Sequence, residues 1–201
     1  MTRTVYIVVF DNVEVLDACG PFEVFSVANR VVSRDRPDET EPFRVRAVSA
    51  SSALNVRARG GLEIVADHTL EDCGKGDILV VPGGVTNVVE KNKTLLAWLK
   101  DQRRTAELVA SVCNGALILA EAGLLSGRVT THWDDLEELQ RRFPDLDVED
   151  NVRYIAQSAT ATSAGVSAGI DLSLHLVERY AGINVAETTA RIMDYPWSRE
   201  P

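Results

Sequence analysis

Two kinds of periodicity alternate along the chain. Short β-branched runs, Val5–Phe10, Phe43–Ser49, Ile78–Val81 and Leu108–Val112, are bounded by Gly, Pro or charge. Such runs suit strands covered on both faces. Between them, apolar residues recur at helical spacing: Val24, Val27, Ala28 and Val31 form one face, Leu95, Leu96 and Leu99 a second, and Val166, Ile170, Leu174 and Val177 a third. Strands alternating with helices return through right-handed crossovers and build a mostly parallel sheet. The pattern predicts an α/β fold, a three-layer α/β/α sandwich. Alternation around 55–65 and 151–162, as in Tyr154-Ile155-Ala156, predicts short hairpin-like additions near a sheet edge. The charged stretch 34–42, with two prolines, reads as an exposed loop too short to separate domains.

Composition narrows the picture. A chain of 201 residues with 45% hydrophobic content can bury roughly 70% of its unfolded surface, so a single domain over 1–201 is expected. Lys and Arg number 21 against 30 Asp and Glu, a net charge of −9, which opposes contact with a phosphate backbone. The longest nearly apolar run, Leu108–Leu125, carries Asn114 and Glu121, costly groups in a bilayer. Val5–Phe10 is too short for a signal-peptide core. The expectation is a cytoplasmic protein whose partners include neither nucleic acid nor membrane. Cys19, Cys73 and Cys113 are odd in number and lack C-x-x-C spacing, which argues against a disulfide framework or structural zinc and leaves room for a reactive thiol.

Three segments carry candidate chemistry. In Leu108-Val-Ala-Ser-Val-Cys113-Asn-Gly115 an apolar strand ends and a helix begins, with Cys113 at the corner and small residues, Ser111 and Gly115, two positions either side. That is the layout of a nucleophile elbow, without its usual first glycine. A thiol at a helix N-terminus is expected to favour its thiolate; the alternative is a buried cysteine used as a small hydrophobe. After Ile78–Val81 come Pro82, Gly83 and Gly84, a loop at the carboxyl end of its strand, where ligands bind in open parallel sheets. The N–H groups of Gly84 and Asn114 would form an oxyanion hole there, unless Pro-Gly-Gly is only a tight turn. After the first strand, Asp17 either serves the thiol as proton donor and acceptor or stabilises the entrance of a helix started by Gly20-Pro21. Trp98 and Trp133 are expected to cover core or pocket walls, and Cys73 has no chemical context.

Taken together, Val81-Pro-Gly-Gly84, Ser111-Val-Cys-Asn-Gly115, Gly123-Leu-Leu-Ser-Gly-Arg128, Thr130-Thr-His-Trp133 and Ser163-Ala-Gly-Val-Ser-Ala-Gly-Ile-Asp171 resemble the ThiJ/PfpI superfamily of class I glutamine amidotransferase-like proteins over nearly the whole chain. Leu16–Phe25 is similar to its isonitrile hydratase branch and to the sensor domains of AraC-type regulators. The resemblance implies a flavodoxin-like sandwich, a homodimer, and a small electrophilic substrate handled without metal or organic cofactor. It implies that Cys113 attacks the carbon of an isonitrile to give a thioimidate while Asp17 shuttles protons, releasing an N-substituted formamide. Asn114 departs from the branch, which places a Thr hydroxyl there, and an amide is a poor proton shuttle. The absence of His directly after Cys113 disfavours the superfamily's proteolytic arrangement. His132, Cys19, Gly83 and Gly165 are further pocket candidates; for His132 and Cys19 a structural role is the alternative. Two other functions fit the resemblance: a ligand or redox sensor related to AraC-type regulators but lacking their DNA-binding half, and a glyoxalase or deglycase-like hydratase, a branch that generally uses Glu as the acid.

Overall fold

A computed structural model describes residues 1–199. In chain order the elements are β1 (Arg3–Val9), α1 (Val15–Asp35), β2 (Phe43–Ser49), β3 (Asn55–Arg57), β4 (Glu63–Val65), β5 (His68–Thr69), β6 (Ile78–Val81), α2 (Thr86–Val89), α3 (Lys93–Gln102), β7 (Leu108–Val112), α4 (Gly115–Glu121), β8 (Arg128–Val129), α5 (Leu136–Arg142), β9 (Asp147–Val148), β10 (Tyr154–Ala156), β11 (Thr160–Ser163), α6 (Ala168–Ala181) and α7 (Ile183–Ile192). Seven strands form the central sheet in the order β10-β11-β7-β6-β1-β2-β5. Every pairing in it is parallel except β10 with β11.

All residues of β6 and β7 are buried, as expected of strands with helices on both sides. One helical group is α1, α6 and α7, packed on one another; the other joins α4 to α2 and α3. The predicted faces of α1 and α3 point inward: Val24, Val27, Ala28 and Val31 are buried, as are Leu95 and Leu99, with Leu96 partly so. The flavodoxin-like α/β architecture follows.

Local departures are instructive. The 55–65 hairpin makes its own two-stranded sheet, whereas β10 and β11 do extend the edge of the main one. Helix α1 begins at Val15, so Gly20-Pro21 lies inside it rather than starting it. The N–H that Pro21 lacks would have gone to the Asp17 carbonyl. Val166 lies outside α6 with φ at +22°, so the third helical face starts later than its spacing suggests. Trp98 packs against the core, but Trp133 is 71% exposed and is not a core residue, its ring lying 5.3 Å from that of His132.

Candidate active site

The chain order of the strands reverses direction at β1, which has β2 on one side and β6 on the other. Crevices for ligands open at the carboxyl ends of strands at such a switch point. Four loops meet there, leaving the adjacent strands β11, β7, β6 and β1. Two are zipped together: the Glu14 N–H donates to the Gly83 carbonyl at 2.9 Å and the Val85 N–H to the Asn12 carbonyl at 3.0 Å. Gly84 sits at φ +143°, and a Cβ there would meet the Asn12 carbonyl at 2.3 Å. Only glycine allows this approach.

Cys113 forms the corner between β7 and α4 with φ at +56°, a strained conformation for a side chain other than Gly, Asn or Asp. Its neighbours fix it. A Cβ on Gly115 would lie 2.1 Å from the Val81 carbonyl oxygen, so α4 can start this close to β6 only with glycine. The Cys113 N–H donates to the Ala164 carbonyl (3.2 Å), and Thr131 Oγ1 donates to the Cys113 carbonyl (2.9 Å). Toward the sulfur point the backbone N–H groups of Asn114 and Val166.

Beside the thiol is the carboxyl of Asp17, which is fully buried. Its Oδ2 accepts the Gly83 N–H at 3.1 Å, whereas Oδ1 is buried and unpaired. Asp17 therefore does not act as a cap for its own helix; it reaches across to the β6 loop. Burial pushes its pKa up to about 7, against the Gly83 N–H, and the charge of Glu14 adds to the rise. Burial, then the Asp17 charge, pushes the Cys113 thiol up to about 12. The expected stabilisation of the thiolate is thus reversed: α4 is a helix of 7 residues, and its N–H groups do not offset desolvation beside a carboxylate. The pair holds its proton on sulfur while Asp17 sits near neutrality.

The remaining candidates divide. The Gly84 N–H is not a free oxyanion donor, because it donates to Asn114 Oδ1 at 2.9 Å while Asn114 Nδ2 donates back to the Gly84 carbonyl at 3.2 Å. The Asn114 amide is a clamp between two loops, and its backbone N–H is the part that faces sulfur. Gly83 is a contact residue: a Cβ there would lie 2.2 Å from Asn114 Oδ1 and 3.0 Å from Asp17 Oδ2. His132 is half-buried, its ring over Gly165, where a Cβ would meet Cδ2 at 2.5 Å. Its Nδ1 accepts the Asp134 N–H at 3.2 Å and lies 3.7 Å from Asp135 Oδ2. Cys19 is exposed and lines a separate apolar groove with Ile7, Ala47 and Val65. Two positions along a helix turn a side chain to the far side, so Cys19 does not share the pocket that Asp17 faces. Among the described residues no three His, Cys, Asp or Glu side chains gather as a metal-holding group.

Two further residues border the site without a clear sequence signal. By spacing Val166 belongs to a helical face, although the flanking Gly165 marks a turn. Asp135, half-buried beside His132, faces Asn114 and has its pKa raised by burial; two adjacent acids at a short helix start gave no signal of it.

A model of the DJ-1/PfpI family matches residues 3–179. The chain belongs to the DJ-1/PfpI family. It is 31% identical over 198 residues to the isonitrile hydratase of Pseudomonas putida, covering 97% of this chain and 79% of the relative. To the HTH-type transcriptional regulator CdhR of Pseudomonas aeruginosa it is 30% identical over 187 residues, 92% of this chain but only 53% of the regulator, so it spans about half of that protein. A solved structure of a ThiJ/PfpI family protein from Pseudomonas syringae superposes with a TM-score of 0.84 at 26% identity, covering 98% of this chain and 77% of that one. Family members of this kind include enzymes and regulators. No helix among the described residues is long and apolar enough to cross a membrane.

Proposed function

We propose that the chain is a cysteine-dependent enzyme of isonitrile hydratase type, with Cys113 as nucleophile and Asp17 as its proton donor and acceptor. The observation that carries this reading is the buried Asp17 carboxyl, raised to about 7, beside a thiol held at a left-handed strand-to-helix corner. An acid–base group works best with a pKa near ambient pH, which is where burial puts this one. As sulfur adds to the terminal carbon of the isonitrile, the thiol proton passes to Asp17 and from it to that carbon, giving a thioimidate. Asp17 then takes a proton from water as the water oxygen adds to the same carbon and hands it to the substrate nitrogen. Collapse of the adduct expels sulfur, which takes the adduct's hydroxyl proton by way of Asp17 to restore the thiol, and releases an N-substituted formamide, with one water consumed. The Asn114 and Val166 N–H groups stabilise sulfur whenever it carries charge. Purified protein is expected to hydrate a neutral isonitrile, with turnover abolished in Cys113→Ala and slowed by about 100-fold or more in Asp17→Asn. Unchanged turnover in Cys113→Ala would sink the reading.

A ligand sensor is the second reading. It is favoured by the likeness to half of a regulator and by the Asn114 amide, which locks two loops together instead of offering a hydroxyl. A sensor would show saturable ligand binding by calorimetry that survives Cys113→Ala, without product.

A further inference from the structure

Beside the turn that follows β11 lies a buried charged network that the proposed chemistry leaves unused. Asp171, in the first turn of α6, is 1% exposed. Its Oδ2 accepts from both Nε (2.8 Å) and Nη2 of Arg153, and the Tyr195 hydroxyl lies 3.0 Å away. Its Oδ1 accepts the Ser198 N–H at 3.0 Å. The carboxylate is thus saturated by groups from the segment before β10 and from the chain beyond α7.

This network grips the 164–167 turn. The Tyr195 hydroxyl lies 3.3 Å from the Ser167 carbonyl, Arg153 Nη2 lies 3.5 Å from Ser167 Oγ, and the Ala164 N–H donates to the Arg153 carbonyl at 2.9 Å. On its other side the same turn accepts the Cys113 N–H through the Ala164 carbonyl and directs the Val166 N–H at the sulfur. Val166 does this at φ +22°, a conformation a β-branched residue keeps only when its surroundings impose it. His132 packs on Gly165, and the polar restraint on the rear of the turn comes from Arg153 and Tyr195.

We propose that Asp171, Arg153 and Tyr195 are positioning residues that hold the strained 164–167 turn so that the Val166 N–H stays aimed at the Cys113 sulfur. The inference rests on Cys113 being the nucleophile and adds to it a remote control of sulfur reactivity. Held in place, this N–H favours the charged form of sulfur; released, the turn relaxes and the thiol becomes harder to ionise.

The test is alkylation of the full-length protein by iodoacetamide across alkaline pH, followed at the Cys113 peptide by mass so that Cys19 and Cys73 do not contribute. Tyr195→Phe keeps the ring and the net charge and removes the hydroxyl; Asp171→Asn removes the charge that binds Arg153. Asp17 and Asp135, the carboxyls that act on the sulfur from α1 and from the loop before α5, are untouched in both. The expected result is a Cys113 reactivity profile displaced about one pH unit upward, hence about tenfold slower alkylation at a fixed pH below the thiol pKa, with the Cys19 rate unchanged. A merely structural role would lower the melting temperature and leave the profile of the folded protein where it was. Superimposable profiles in folded Tyr195→Phe overturn the proposal even if Asp171→Asn fails to fold. A wild-type Cys113 that reacts no differently from the same thiol in the urea-unfolded chain removes the nucleophile reading itself, and the clamp with it.

Discussion

Asp17 and Cys113 are buried side by side, and burial acts on both in the same direction: each resists ionisation. For Asp17 the consequence reaches stability. Its folded pKa of about 7 lies above the ordinary carboxylate value of about 3.9, so between those limits the folded state binds the extra proton. The contribution is fully present below the unfolded pKa and is lost as pH rises through the folded one. Between roughly pH 4 and pH 7 this amounts to about 3 kcal/mol. Urea unfolding of wild type and Asp17→Asn over that range is expected to show wild type losing ground to the variant as pH rises; parallel curves would mean that Asp17 is ionised when folded. Asn114 poses a separate residue-scale question, because its amide spans Gly84 with two hydrogen bonds. Asn114→Thr, toward the residue implied by the isonitrile hydratase resemblance, removes both and is expected to cost about 2 kcal/mol by thermal unfolding, at about 1 kcal/mol per bond.

At the scale of elements, the site is made by how closely loops and helix starts approach one another. Gly115 lets α4 begin against the end of β6, and Gly115→Ala would drive a Cβ to 2.1 Å from a backbone carbonyl that cannot swing away. A loss of about 3 kcal/mol is expected, at the upper end of overpacking costs, with Cys113 reactivity changed alongside it. By contrast, Gly123→Ala meets nothing within 4 Å and is strained only by its φ of +66°. It is expected to cost about 1 kcal/mol, as a modest backbone penalty does. The same approaches explain what could be read from the chain. Ile78–Val81 and Leu108–Val112 stand as strands at the positions their apolar runs suggest, since a strand buried on both faces leaves a continuous signature. Cys113 and Asp17 were legible as candidates because each follows such a strand. The Asn114 clamp was not: its partner is 30 residues away, and pairing at that distance leaves no local pattern. Val166 was misread because apolar spacing cannot tell the first turn of a helix from a strained turn just before it. Cys19 was placed beside Asp17 by closeness in sequence, which helix geometry converts into opposite faces.

For the molecule as a whole, the acidic charge suits the neutral kind of substrate that the proposed function requires. The chain carries a net −9, and the charges that act on the thiol, Asp17 and Asp135, have the same sign. Fields of like charge in a poorly hydrated crevice repel anions and leave neutral molecules unaffected. An isonitrile is neutral, and so is the formamide it becomes. A pair of alkylating agents with the same leaving group isolates this effect: iodoacetamide is neutral and iodoacetate is an anion. At Cys113 of the folded protein the ratio of their rates is expected to exceed the ratio at the same thiol in the urea-unfolded chain. Added salt shortens the screening length from about 30 Å at 0.01 M to about 3 Å at 1 M, so the part of the excess that comes from the distant surface charges should collapse across that range. The part that comes from Asp17, in contact with the thiol and shielded from solvent, should persist and should disappear in Asp17→Asn. A ratio that never exceeds that of the unfolded chain would mean that the thiol does not feel the acidic surroundings, and the selection of a neutral substrate would then have to come from shape alone.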